Sequence, residues 1–355
     1  MFQSRLDKCV AEIELHDGSS KCAYFCLLYG SAPSETLISN AIVLGRSLRS
    51  SKYPLVLLLT PDVPSEIRLR LVSEMCPSEV HVVDYIYGHC SLYKKRWFLE
   101  VFTKFHVFNQ VQFNRIIFLD LDILVNNVCE MDKLFDLPVK FAAMENSKSN
   151  NCRAYAHGEQ LSGGRCCLLN AGVMLVSPNT DLFKLLCENV TAYSPDHEPG
   201  MTPEQYYLAR VMGHHFHHLH QKYNMEVEYH GGVPYTDIWQ SFEYNQIVAF
   251  HFSGGDPLEK LKCDNVWECQ THKHYAFEFW KTLEHTQIAS SRAEYAFAKW
   301  ATLLHTQTIP YARILVFETD DLAIYVENFK FVKIYRGPPK RPPPIYRQSP
   351  SQQTP

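Results

Sequence analysis

The sequence predicts an α/β fold: a single domain with a mostly parallel central sheet, plus a helical extension toward its C-terminal end. Three observations predict it. Short continuous apolar runs, such as Ala23–Tyr29 and Leu55–Leu59, read as strands buried on both faces, the pattern of a parallel sheet. Segments with apolar residues at helical spacing alternate with those runs. The 355 residues are 46% hydrophobic and 20% charged, which supplies a sizeable core and excludes global disorder.

Taken in order, Ala23 to Tyr29 is the first buried strand. Ser34 to Ser50 follows as a helix, with Leu37, Ile38, Ala41, Ile42, Leu44 and Leu48 at helical spacing. Leu55 to Leu59 is a second strand, ended by Thr60-Pro61. Glu66 to Glu74 is helical and Val80 to Asp84 is a third strand. Phe98 to Val111 reads as a helix leading into a fourth strand at Arg115 to Leu119. Val139 to Met144 is a strand, and Asn146 to Gly164, polar and bearing glycine, is a loop. Leu168 to Val176 is a strand, and Asp181 to Asn189 a helix capped by Asn179 or Thr180. Pro203 to Met212 is a helix with proline in its first turn, and Ile247 to Phe252 is a last strand.

The run from Arg115 to Val125 is apolar beyond its first residue except for Asp120 and Asp122. A buried, unpaired carboxylate is costly, and two of them one residue apart repel unless a cation lies between them. Right-handed crossovers place the C-terminal ends of such strands, and hence Asp120, on the ligand-binding side of the sheet. A bare pair of this spacing is commonly a turn or helix cap. At the end of a buried strand, its economical reading is a divalent-metal site holding a nucleotide diphosphate.

Bulk composition narrows the partners. The net charge is −4 and no basic run precedes the C-terminal tail, so no nucleic-acid surface is expected. No apolar stretch is long enough to span a bilayer, and the first 15 residues lack the apolar core of a signal peptide. The 12 scattered cysteines form no disulfide framework, and a cytoplasmic protein with free thiols is expected.

Several motifs in one order resemble the glycogenin-like retaining glycosyltransferases, a group that includes galactinol synthases and bacterial lipooligosaccharide galactosyltransferases. They are Ile42-Val43-Leu44-Gly45-Arg46-Ser47-Leu48, Phe118 to Val125 with its two aspartates, Leu134-Phe135-Asp136, Leu169-Asn170-Ala171-Gly172-Val173, Glu204-Gln205, and His251-Phe252-Ser253-Gly254. The resemblance covers about residues 20–260. It implies a nucleotide-sugar-binding domain of the GT-A type that transfers glucose or galactose from a UDP-sugar, with retention of configuration. By the same resemblance, Asp120, Asp122 and His251 would bind Mn²⁺. Lys104, Asn170, Glu204 and Gln205 would act at the sugar and phosphate. Leu27, Tyr29, Asp84, Gly254 and Lys260 would line the nucleotide site. The acceptor would be a carbohydrate, a polyol or a protein.

Two departures stand out. Pro257 occupies the place where the family carries a diphosphate-contacting lysine, so Lys260 or Lys262 would have to reach back. Met201 occupies the place of an aspartate in glycogenin-type members. The rival reading is a degenerate transferase that serves as a nucleotide-sugar-binding or partner-binding module. The cluster His214, His215, His217, His218 and His220 fits no familiar ligand spacing and reads as structural.

The expected organisation is a catalytic domain at 20–270, an extension at 271–335 and a Pro-rich disordered tail at 336–355 that would offer a partner its polyproline segments. The extension holds a 20-residue duplication: Tyr275-Ala276-Phe277, Trp280, Thr282-Leu283 and His285-Thr286-Gln287 recur as Tyr295-Ala296-Phe297, Trp300, Thr302-Leu303 and His305-Thr306-Gln307. Each copy is expected to be a helix. A weaker echo of the Arg115–Asp122 segment occurs at Arg313 to Asp320.

Overall fold

The computed structural model describes residues 2–15, 21–89, 100–145, 156–161, 168–192, 202–227, 246–253, 295–296, 298–304, 314–318, 322–327 and 330–335. The first strands and helices alternate as expected: α1 (Phe2–Ala11), β1 (Cys22–Leu28), α2 (Glu35–Ser47), β2 (Leu55–Leu59), α3 (Ser65–Glu74) and β3 (Glu79–Val82). A 3-10 helix (Val101–Asn109) leads to β4 (Arg115–Leu119), β5 (Ile123–Val125) and α4 (Val128–Asp132). Then come β6 (Phe141–Glu145), β7 (Leu169–Val176), α5 (Thr180–Thr191), α6 (Pro203–Met212), β8 (Phe216–His218), β9 (Met225–Glu226) and β10 (Ala249–His251).

The central sheet has seven strands in the order β3-β2-β1-β4-β7-β6-β8. Only β7 runs antiparallel to its neighbours β4 and β6; the other pairings are parallel. Strand β1 shows why its run is apolar throughout. Ala23, Phe25 and Leu27 pack on one face with Phe102, Phe105 and Phe108. Tyr24, Cys26 and Leu28 pack on the other with Ile38, Ala41, Ile42 and Leu44 of α2. Local caps fix where helices begin: Ser34 accepts from the Leu37 amide and Asn179 from the Leu182 amide, so Asn179 is the cap of α5.

Four differences from expectation have physical causes. The helix expected at 98–111 is a 3-10 helix over Val101–Asn109, which lines up Phe102, Phe105 and Phe108, three residues apart, on the buried face. The apolar run continues past the expected strand end at Leu119 into a further strand, β5, that was not expected. It breaks after Leu119 in a turn closed by the Ile123 amide on the Asp120 carbonyl (3.1 Å). Strand β5 then leaves the central sheet and joins a small sheet of order β5-β10-β9. The N-terminal segment, for which no helix was expected, forms α1 and buries Leu6 and Val10 in the core beside α5. The extension is not wholly helical. Its second repeat copy is helical over 295–296 and 298–304, but an antiparallel three-stranded sheet follows: β11 (Ile314–Glu318), β12 (Leu322–Glu327) and β13 (Lys330–Tyr335). The first repeat copy and the Pro-rich tail lie outside the described residues.

The second copy docks through Trp300, Ala296, Ala298 and Ala301, which join Val43, Leu124, Phe250 and Phe252 in a third apolar cluster. The Trp300 indole donates to Asn40 Oδ1 at 2.9 Å, and Arg46 donates to the carbonyls of Leu303 and Leu304. Among the described residues no helix is long and apolar enough to cross a membrane.

Candidate active site

The parallel strands deliver their C-terminal ends to one edge of the sheet, and the break after β4 sets Asp120 there. The Asp120 amide donates to the Gly172 carbonyl at 2.8 Å, which extends the β4–β7 pairing by one residue. Pairing of β5 with β10 places Ile123 opposite His251, and the Phe252 amide donates to the Asp122 carbonyl at 2.9 Å. Asp120, Asp122 and His251 therefore converge, with one ligand atom from each lying within 4.8 Å of the others. His251 Nε2 is 3.3 Å from Asp122 Oδ1.

Lys104, from the 3-10 helix, lies buried beside them. Its Nζ is 3.1 Å from Asp120 Oδ1 and 3.2 Å from Glu204 Oε1. Glu204 is also buried, at the first turn of α6, and Gln205 is half-buried next to it. Leu27 is buried near the end of β1. Tyr29 is packed edge-on to Tyr85, with ring centroids 6.4 Å apart. Asp84 is exposed two residues beyond β3, and its carbonyl accepts from His106 Nε2. Gly254 and Lys260 lie outside the described residues.

The charges are strongly coupled. Burial pushes the His251 imidazole down, but the Asp122 carboxylate outweighs it and sets the His251 pKa at about 9. The same pair holds Asp122 below the usual carboxylate range despite burial. Burial raises Asp120, which Lys104 only partly offsets. Lys104 stays firmly protonated because Asp120 and Glu204 together overcome its desolvation. Burial raises the Tyr29 phenol, which also feels the charges of Lys104, Glu204 and Asp120.

A directional hydrogen-bond relay lies beneath these groups. His251 Nδ1 is 2.8 Å from Asn224 Oδ1, and Asn224 Nδ2 donates to Asn170 Oδ1 at 3.0 Å. The Gly172 amide donates to the same Asn170 oxygen, and Asn170 Nδ2 donates to Glu226 Oε1 at 2.8 Å. With the Asn224 amide oriented this way, the proton sits on Nδ1 and Nε2 faces the aspartates. Such support of a histidine ligand is usual around metals. Gly172 leaves room for the ring: a Cβ there would lie 2.5 Å from His251 Cε1. Two carboxylate oxygens and one imidazole nitrogen form a donor set that suits a borderline divalent ion such as Mn²⁺.

Asn224 and Glu226 escape single-residue reading of the sequence because their partners are distant along the chain.

The chain is similar to several known proteins. Galactinol synthase 2 of Arabidopsis thaliana is 27% identical over 200 residues, which cover 50% of this chain and 58% of that protein. Galactinol synthase 1 of Solanum lycopersicum is 24% identical over 263 residues, 70% of this chain and 72% of that protein. Glycogenin-2 of Homo sapiens is 28% identical over 163 residues, 44% of this chain and 28% of that protein. The chain thus spans little more than half the length of the first of these relatives and little more than a quarter of glycogenin-2. Among solved structures, the galactosyltransferase LgtC in complex with donor and acceptor sugar analogues superposes with a TM-score of 0.44 at 12% identity, covering 76% of this chain and 95% of that one. Residues 50–256, more than half of the sequence, match the family described as Glycosyl transferase family 8, and the chain belongs to that family.

Proposed function

We propose that the protein is a retaining hexosyltransferase that uses a UDP-sugar donor, UDP-glucose or UDP-galactose, and Mn²⁺ held by Asp120, Asp122 and His251. The observation that carries this reading is the convergence of those three ligand atoms beside the buried Lys104–Glu204 pair. The bound cation would supply Lewis-acid stabilisation of charge on the departing diphosphate.

The chain's own residues have distinct tasks in this proposal. Lys104 pairs with both Asp120 and Glu204 and offsets part of their negative charge in a buried site. Glu204 and Gln205 face the donor sugar from the first turn of α6. Both ends of the Asn170 amide are engaged within the chain, so its role is to orient Asn224, and through it His251. Leu27, Tyr29 and Asp84 stand along the strand ends where the nucleotide would lie, with Gly254 and Lys260 assigned to the diphosphate. To act as a ligand, His251 must release its Nε2 proton, so metal affinity should fall as the pH drops below about 9. The acceptor is a carbohydrate, polyol or protein hydroxyl. The catalytic unit spans 20–270, to which α1 adds a packed N-terminal helix.

The test is UDP release from UDP-glucose and UDP-galactose, with Mn²⁺ or EDTA, with and without candidate acceptors. Release should require metal and rank the two sugars. Asp122→Ala should lose metal-dependent release by at least ~100-fold, beyond the loss usual for a supporting residue. Near-normal turnover by Asp122→Ala would remove the metal assignment. Absence of both turnover and UDP-dependent thermal stabilisation would favour a partner-binding module.

A further inference from the structure

Of the five clustered histidines, three are turned to other tasks. His217 Nδ1 faces the Phe141 carbonyl, the Glu145 amide donates to His218 Nδ1, and His220 Nδ1 accepts from the Lys222 amide. His214 and His215 are different. They form a 3-10 turn directly after α6, and both bring Nε2 to the same atom, Asp7 Oδ1 of α1, at 3.3 and 2.9 Å. The three ligand atoms lie within 4.8 Å of one another. Gln3, one turn before Asp7 on α1, donates to Asp7 Oδ1 at 2.9 Å and lies 3.4 Å from His214 Nε2.

We infer that Asp7, His214 and His215 form a second metal site, separate from the Asp120 centre, that takes Zn²⁺ or a similar borderline divalent ion. Zinc bonds of about 2.0–2.1 Å in a tetrahedron put donor atoms roughly 3.3 Å apart, close to the two N···O spacings found here. Two imidazoles and one carboxylate favour zinc over the harder ions. A water completes the tetrahedron, because Asp7 and His214 are half-exposed. Lys140, whose charge also reaches His215, is held away from the carboxylate by the carbonyls of Val10 and Ala11.

The placement gives the site a structural task. It joins α1 to the C-terminal end of α6, the helix whose first turn carries Glu204, about 15 Å away along the axis. An ion there would staple the N-terminal helix to the helix that presents Glu204. The spacing of the histidines alone did not reveal this, because the third ligand lies 207 residues earlier in the chain.

The experiment uses the full chain carrying Asp122→Ala, which disables the first site, stripped with EDTA and titrated with Zn²⁺ by calorimetry. One equivalent should still bind, and Co²⁺ in its place should show the visible bands of a tetrahedral centre. Adding Asp7→Asn or His215→Ala should weaken binding by at least about 10-fold. Amides 2–11 should exchange more slowly with Zn²⁺ present, and this protection should vanish with Asp7→Asn. His214→Gln serves as a further variant should either of the others unfold in EDTA. No binding in the Asp122→Ala protein, or binding and protection unchanged by Asp7→Asn, His215→Ala and His214→Gln, would reduce the trio to a hydrogen-bonded surface cluster.

Discussion

At Gly172 the absence of a side chain has a definite consequence. Strand β7 must pass under the imidazole of His251, and a methyl group there would meet Cε1 at 2.5 Å and Nδ1 at 2.9 Å. Asn170 and His251 are both buried and hydrogen-bonded, so neither moves freely. Gly172→Ala should therefore keep the strand but displace the imidazole, costing about 1–3 kcal/mol of stability as overpacking. Mn²⁺ affinity, measured by calorimetry, should fall at least ~10-fold; an unchanged affinity would show that His251 is not a ligand. The same scale explains what could be read in advance. Asp120 and Asp122 stood out because carboxylates interrupting an apolar run demand a reason, and Lys104 because it matches the basic residue that the resembled family carries before that run. Asn224 and Glu226 were not, because each acquires its role only from a partner 27 or 56 residues away.

Elements were legible in proportion to their length and regularity. Strands β1, β2 and β4 and helices α2, α3 and α6 follow from runs and periods, whereas β8 and β9, three and two residues long, carry too little pattern to recognise. The end of β4 at Leu119 was legible, but β5 was not, because its three apolar residues only continue the run and differ in which sheet they join. The second copy of the duplicated 20-residue unit was legible as a helix, but its purpose needed the structure. Its second copy packs Trp300, almost wholly buried, against the back of α2, with the indole donating to Asn40. Lys299 donates to the Asn126 carbonyl, and burial lowers its pKa to about 8. Trp300→Ala should cost about 3–5 kcal/mol of docking energy. The expected outcome is faster protease cleavage within 295–304 while α1 to α6 keep their protection. Cleavage at the wild-type rate would mean that the contact contributes little to holding the helix.

The response of the whole molecule to acid follows from its buried histidines. His218 ends β8, the edge strand of the central sheet, where it is buried, and its Nδ1 accepts from the Glu145 amide, which requires a neutral ring at that atom. Burial, reinforced by the charges of His220 and His157, lowers its pKa to about 4. Burial also lowers His106, His157, His215 and His220. The unfolded chain, with histidines near 6.5, then takes up protons before the native state does. The contribution of His218 is complete above about pH 6.5 and is lost as the pH falls toward 4, by about 3 kcal/mol in total. His251 works in the opposite sense in the metal-free protein: its raised pKa adds stability that is present below about pH 6.5 and fades as the pH climbs through 9. Between pH 7 and 5 the depressed histidines outnumber it, so urea denaturation midpoints should fall over that interval. His218→Gln should flatten part of the fall. A midpoint independent of pH from 7 to 5 would mean that His218 is not held neutral in the sheet.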